Sequence, residues 1–141
     1  MCPPLLVLCN EVEYRTCYQT AYVDAGPIMT FDGIKVSFFP EQFYHAFFRD
    51  SSPTTRDKAC FERARAERMY WIKALLEDAS AEVYRRCMPD GKMMRIALWM
   101  HERYAVIIQL RKNRIEAARF ITAYVVDSAS ALAKMRGNPR W

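Results

Sequence analysis

Two histidines are the only imidazoles in the chain, and they sit in different company. His45 lies inside Phe43-Tyr44-His45-Ala46-Phe47-Phe48, where it reads either as a packed residue with one nitrogen satisfied or as an acid–base group. His101, between Trp99 and Tyr104 in a short link, reads as an exposed turn residue. Neither has a second His or an acidic partner at ligand spacing, so no metal site is expected. The run Arg119-Phe120-Ile121-Thr122-Ala123-Tyr124-Val125-Val126 alternates like a strand. Alternation sets Phe120, Thr122, Tyr124 and Val126 on one face and Ile121, Ala123 and Val125 on the other, which suits packing under a helix. A hydroxyl and a phenol two positions apart, with Lys134 and Arg136 close in sequence, can hold a phosphate and donate to its oxygens as charge develops. Thr and Tyr are also simply good strand formers. Arg65 and Arg68, three apart in a helical pattern, read as surface cations or as phosphate contacts. Gly-rich phosphate loops, a nucleophile elbow and the HExxH zinc motif are absent from the sequence.

Charge sharpens the case for an anionic partner. Residues 1–44 sum to −3, residues 45–84 to zero and residues 85–141 to +8, which together give the net +5 of the 141-residue chain. Arginine outnumbers lysine fifteen to six. The guanidinium fork matches phosphate oxygens and stacks on bases, whereas an ammonium acts as a point charge. Nucleic acid is the first candidate partner, and an ordinary solvated surface is the alternative.

The elements that would carry these residues can be read coarsely. Residues 1–30 have no clear periodicity, although Val12, Tyr14, Cys17, Tyr18 and Tyr22 fit one side of an element. Ile34 to Phe39 alternates like a short strand after the turn signal Thr30-Phe31-Asp32-Gly33. From Asp57, the expected N-cap, to Glu77 the apolar spacing predicts one long helix. Four β-rich runs follow: 82–86, 94–99, 104–110 and 119–126. The links between them are too short for a parallel crossover, which implies an antiparallel meander. Ser128 or Ser130 then caps a short helix stopped by Gly137 and Pro139. The expectation is an α+β domain: an N-terminal helical region packed on a four-stranded antiparallel sheet, with a short C-terminal helix. Hydrophobic residues at 52% support one core, and no run reaches the roughly 18 apolar residues of a membrane span. Five cysteines without a CxxC pair read as reduced thiols, and Pro3 to Cys9 makes a poor secretory signal, so a cytoplasmic protein is expected.

Taken in order, Phe43-Tyr44-His45-Ala46-Phe47-Phe48, then Arg65-Ala66-Glu67-Arg68-Met69-Tyr70-Trp71-Ile72, then Arg119-Phe120-Ile121-Thr122-Ala123-Tyr124, then Ala133-Lys134-Met135-Arg136 form a succession. It resembles a phage-associated branch of the barnase–EndoU–colicin–RelE-like (BECR) nucleases over residues 40–141. Residues 1–39 fall outside the likeness and read as a variable extension packed on the domain. The resemblance implies metal-independent RNA cleavage by 2′-OH transesterification, with no cofactor and with RNA as partner. It also leaves room for an inhibitor or immunity protein. Carried over by motif, it implies His45, Arg68, Thr122 and Tyr124 as catalytic residues, with Arg65, Lys134 and Arg136 on the phosphate. Those four catalytic candidates are expected to share one concave basic pocket, within a span on the order of 10 Å. The alternative, from the charge alone, is a non-catalytic RNA- or DNA-binding module or a phage accessory protein that binds a partner.

Overall fold

Tyrosines repeat every fourth residue at 14, 18 and 22, and that spacing decides the first element. In the computed structural model, which describes residues 2–112 and 114–141, all three are buried along one side of a continuous helical segment. Helix α1, Glu11–Tyr18, runs on into a π-helical turn, Gln19–Asp24. Asn10 caps α1 by accepting from the Glu13 amide at 3.0 Å, and Glu11 and Glu13 in the first turn complement the helix dipole. Then come β1 (Ile28–Met29), β2 (Lys35–Ser37), α2 (Gln42–Phe47), β3 (Phe48–Arg49), β4 (Cys60–Phe61), α3 (Arg63–Ala66) and α4 (Met69–Leu76). The second half is β5 (Glu82–Cys87), β6 (Met93–Trp99), β7 (Tyr104–Arg111), β8 (Arg114–Val125) and α5 (Ala129–Arg136).

The fold is α+β, built on a mostly antiparallel sheet. Strands β5 to β8 form the antiparallel meander that the short links imply. The sheet has six strands rather than the four expected, in the order β1-β2-β8-β7-β6-β5. Strand β2 lies parallel to β8, with Lys35 opposite Ala117 and Ser37 opposite Arg119, and β1 pairs antiparallel with β2. A three-residue strand carries too little alternation to announce a partner some eighty residues away. At the opposite edge, residues 139–141 lie along β5: the Arg85 amide donates to Pro139 O and the Trp141 amide to Val83 O. An otherwise open row of β5 backbone groups is thereby partly satisfied.

The single helix expected from Asp57 to Glu77 is divided. Asp57 accepts from the Ser51 amide and hydroxyl instead of capping a helix. Phe61 is drawn into the two-stranded β3–β4 ladder opposite Phe48, where the two rings meet at 5.4 Å. Aromatic pairing across that ladder outweighs helix propensity there, so α3 begins after it and Arg68 (φ −98°, ψ 19°) separates α3 from α4.

The main core fills the space between the helices and one sheet face, and it is rich in aromatics such as Phe43, Phe47, Tyr104 and Phe120. Tyr14, Tyr18, Tyr22 and Val36 belong to it, so residues 1–39 help build the same core. A smaller cluster lies on the other face, where Leu132 and Met135 of α5 cover Tyr84, Ile96, Leu98, Ala105 and Val126. Ser128 caps α5 by accepting from the Ala131 amide at 3.1 Å, and Gly137 ends it.

Candidate anion site on the sheet face

A one-residue irregularity in β8 determines which way its side chains point. Ala123 lies opposite Val106 and Thr122 opposite Ile107, but the next pair is Phe120 with Ile108, so Ile121 is an extra residue. This β-bulge resets the alternation. Phe120 and Ala123 both enter the main core, while Thr122 and Tyr124 share the other face with Ile107 and Ala105. Simple alternation had grouped Phe120 with Thr122 and placed Val125 under the helices; Val125 is instead exposed. Gln42 of α2 holds the bulge, donating through Nε2 to Ile121 O at 2.9 Å. Its Oε1 accepts a long bond, 3.5 Å, from Arg119 Nη2.

Around half-buried Tyr124, this face forms a recess of about 230 Å³. Ile96, Ile107, Val126 and Met135 supply its apolar lining, and Arg86 and Lys134 its cations. Arg65 reaches Tyr124 from the neighbouring edge of β8, its guanidinium 5.4 Å from the ring centroid, and also donates to Ala46 O at 3.4 Å. Among the described residues, strand β2 pairs with residues 117–119 of β8, and α2 and α3 also pack against β8. Burial raises the Tyr124 hydroxyl above the ordinary phenol range; Arg65 and Arg86 work against that shift, and Asp127 adds to it. The phenol therefore stays protonated at neutral pH and can donate to an anion.

Lys134 thus shares the recess with Tyr124, Arg65 reaches the Tyr124 ring from outside the recess lining, and Thr122 lies opposite recess-lining Ile107. His45 lies exposed in the last turn of α2, next to Ala46 whose carbonyl receives Arg65, and is not part of the recess lining. Arg68 is turned away: its guanidinium donates to Ala64 O at 2.7 Å and lies over the Trp71 ring, and its carbonyl accepts from Tyr104 of the main core. Arg136 grips β5, pairing with Glu82 at 3.0 Å. Glu82 is held below the usual carboxylate range by the Tyr84 hydroxyl first and then, against burial, by Arg136. His101 is exposed in the β6–β7 turn. Arg86 lines the recess although the sequence had not pointed to it. Its signal was the alternation that sets it on the same strand face as Tyr84. Among the described residues, no group of three or more His, Cys, Asp or Glu could hold a metal ion, and no helix is long and apolar enough to cross a membrane.

A scan against models of known protein families found no match, and neither did a search of curated proteins or a search of solved structures.

Proposed function

We propose that the chain is a metal-independent endoribonuclease of the barnase–EndoU–colicin–RelE-like kind, with the scissile phosphodiester held over Tyr124. The observation that carries this reading is a protonated, half-buried phenol with the Arg65 guanidinium over its ring and Arg86 and Lys134 in the recess it lines. RNA brings its own nucleophile. The 2′-oxygen forms a bond to phosphorus, the bond from phosphorus to the 5′-oxygen breaks, and a 2′,3′-cyclic phosphate remains. A base takes the 2′-OH proton and an acid gives one to the departing 5′-oxygen. His45 on α2 supplies the imidazole for this proton traffic. Tyr124 donates to a non-bridging oxygen as charge builds on it, and Thr122 orients the ribose. Arg65 and Lys134 neutralise the phosphate directly, while Arg136 acts at one remove, by fixing α5 and with it Lys134. The apolar lining of the recess is suited to a base. A second reading, a non-catalytic nucleic-acid-binding module, is favoured by the absence of His45 from the recess lining. Turnover of RNA in EDTA separates the two, measured beside binding for His45→Ala. A nuclease keeps affinity and loses turnover in that variant, whereas a binding module shows no turnover even as wild type.

A further inference from the structure

Strand β8 carries a second cationic recess at its other end. It encloses about 530 Å³ and is lined by Phe39, Gln109, Leu110, Arg111, Lys112, Arg114 and Arg119. Three features mark it as more than a solvated hairpin tip. Arg111 and Arg114 lie directly opposite each other in the β7–β8 ladder, which sets two exposed guanidinium groups side by side. Among the described residues, the one carboxylate that pairs with a lining cation, Glu116 with Arg114 at 3.5 Å, is itself well exposed, so the pair is heavily screened. The Arg119 Nε–H is buried with no acceptor among the described residues, although its guanidinium lies over Phe39 and reaches Gln42. A buried donor without an acceptor is costly. Of the three such guanidinium Nε atoms among the described residues, those of Arg68, Arg95 and Arg119, the last alone belongs to a residue lining this recess.

This recess lies along the same strand as the Tyr124 site, with the Ile121 bulge between them. Arg119 lies opposite Gln109 and Tyr124 opposite Ala105, on the same face of the ladder. At a strand rise of roughly 3.4 Å per residue the four steps between those partners span on the order of 13 Å. That is too far for one phosphate to touch both ends. It suits two phosphates of one extended strand.

We propose that the Arg111/Arg119 recess is a second phosphodiester subsite, so that a single RNA strand lies along β8 between it and Tyr124. The inference rests on the ribonuclease reading for the identity of the ligand. The ion pairing is set by the recess itself. A strand bound at both ends gains affinity with length, because the second contact is made within an already bound molecule.

The test compares a dinucleotide and an octanucleotide of RNA, both fluorescently labelled, on wild type, the double variant Arg111→Glu/Lys112→Glu, and Tyr124→Phe. Binding is followed by anisotropy across a salt series, and cleavage in parallel. The double variant should bind the octanucleotide at least about tenfold more weakly and with a shallower salt dependence, while dinucleotide binding stays at the wild-type value. Arg111→Lys/Lys112→Arg should restore octanucleotide affinity. Unchanged octanucleotide binding in the double variant, an equal loss for both lengths, or no wild-type preference for the longer strand overturns the subsite. Wild type that binds the octanucleotide and cleaves nothing overturns the ribonuclease reading alone, and the anisotropy comparison still decides the subsite.

Discussion

The Arg65 guanidinium lies 5.4 Å from the centroid of the Tyr124 ring, joining a short helix to the face of the sheet across its edge. Its other tie is a long bond to Ala46 O, so it contributes little to holding the fold together. Arg65→Ala should weaken RNA binding about tenfold and reduce the salt slope by about one. The thermal midpoint should stay close to wild type. Anisotropy and a melting curve on the same sample check both, and a lost fold with retained binding per folded molecule would contradict the role.

Gln42 holds the bulge on which the site depends. Replacing it with Leu leaves Ile121 O without its donor in a mostly buried position, and a buried group left unsatisfied costs about 1–3 kcal/mol. Chemical denaturation of Gln42→Leu should show a loss in that range. Hydrogen exchange should rise along residues 119–124 before it rises in β5–β6.

Arg95 is 1% exposed and pairs with Asp32 at 2.9 Å. Burial opposes the charged form of Asp32, but the hydrogen bonds from Arg95 and Thr30 and the charge of Arg95 outweigh it and hold the carboxyl below its usual value. A depressed folded-state pKa stabilises the protein above the unfolded value, about 3.9, and that stability is lost as pH falls through the lower folded value. Asp32→Asn should therefore cost stability at neutral pH, because it leaves the buried Arg95 guanidinium without its charged partner. It should also flatten the acid limb of the stability curve. Adding Arg95→Met should recover most of the loss; a double variant no better than the single would refute the account of this pair.

Glu82 and Arg136 tie α5, which carries recess-lining Lys134, to β5. Glu82 is held below the usual carboxylate range by Tyr84 and Arg136, so the contact is intact at neutral pH and weakens as acid protonates the carboxylate. Glu82→Gln should mimic the acid side at all pH values. The expected result is faster hydrogen exchange in residues 129–136 and a several-fold loss of RNA affinity from the loosened Lys134. A wild-type affinity beside a released α5 would remove Lys134 from the site.

What was legible in the sequence was what is local. Short links such as Pro89-Asp90-Gly91 and His101-Glu102-Arg103 allow only hairpins, and β5 to β8 follow from them. Ser128 and Gly137 bound α5 where their chemistry predicts. The non-local features were not legible. Strand β2 is three residues long and finds its place only by docking on β8. Phe61 fits a helical apolar stripe, and only its partner Phe48 pulls it into a ladder. The row Tyr14, Tyr18, Tyr22 was visible, yet without a core to bury it gave no element. At the site, Thr122 and Tyr124 were placed on the face away from the main core, but by alternation that the Ile121 bulge breaks. Arg65 and Arg68 looked equivalent because both sit near the start of the same apparent helix. The break at Arg68 sends one to Tyr124 and the other to Trp71.

The most direct measurement of the central claim is cleavage, in EDTA, of a DNA oligonucleotide carrying a single ribonucleotide, with the product ends identified by mass. The account predicts one cut, on the 3′ side of the ribonucleotide, leaving a 2′,3′-cyclic phosphate. The cut should vanish in the all-deoxy strand and in His45→Ala, and slow at least about tenfold in Tyr124→Phe. Cleavage of the all-deoxy strand at the same rate, or ends without a cyclic phosphate, would contradict it.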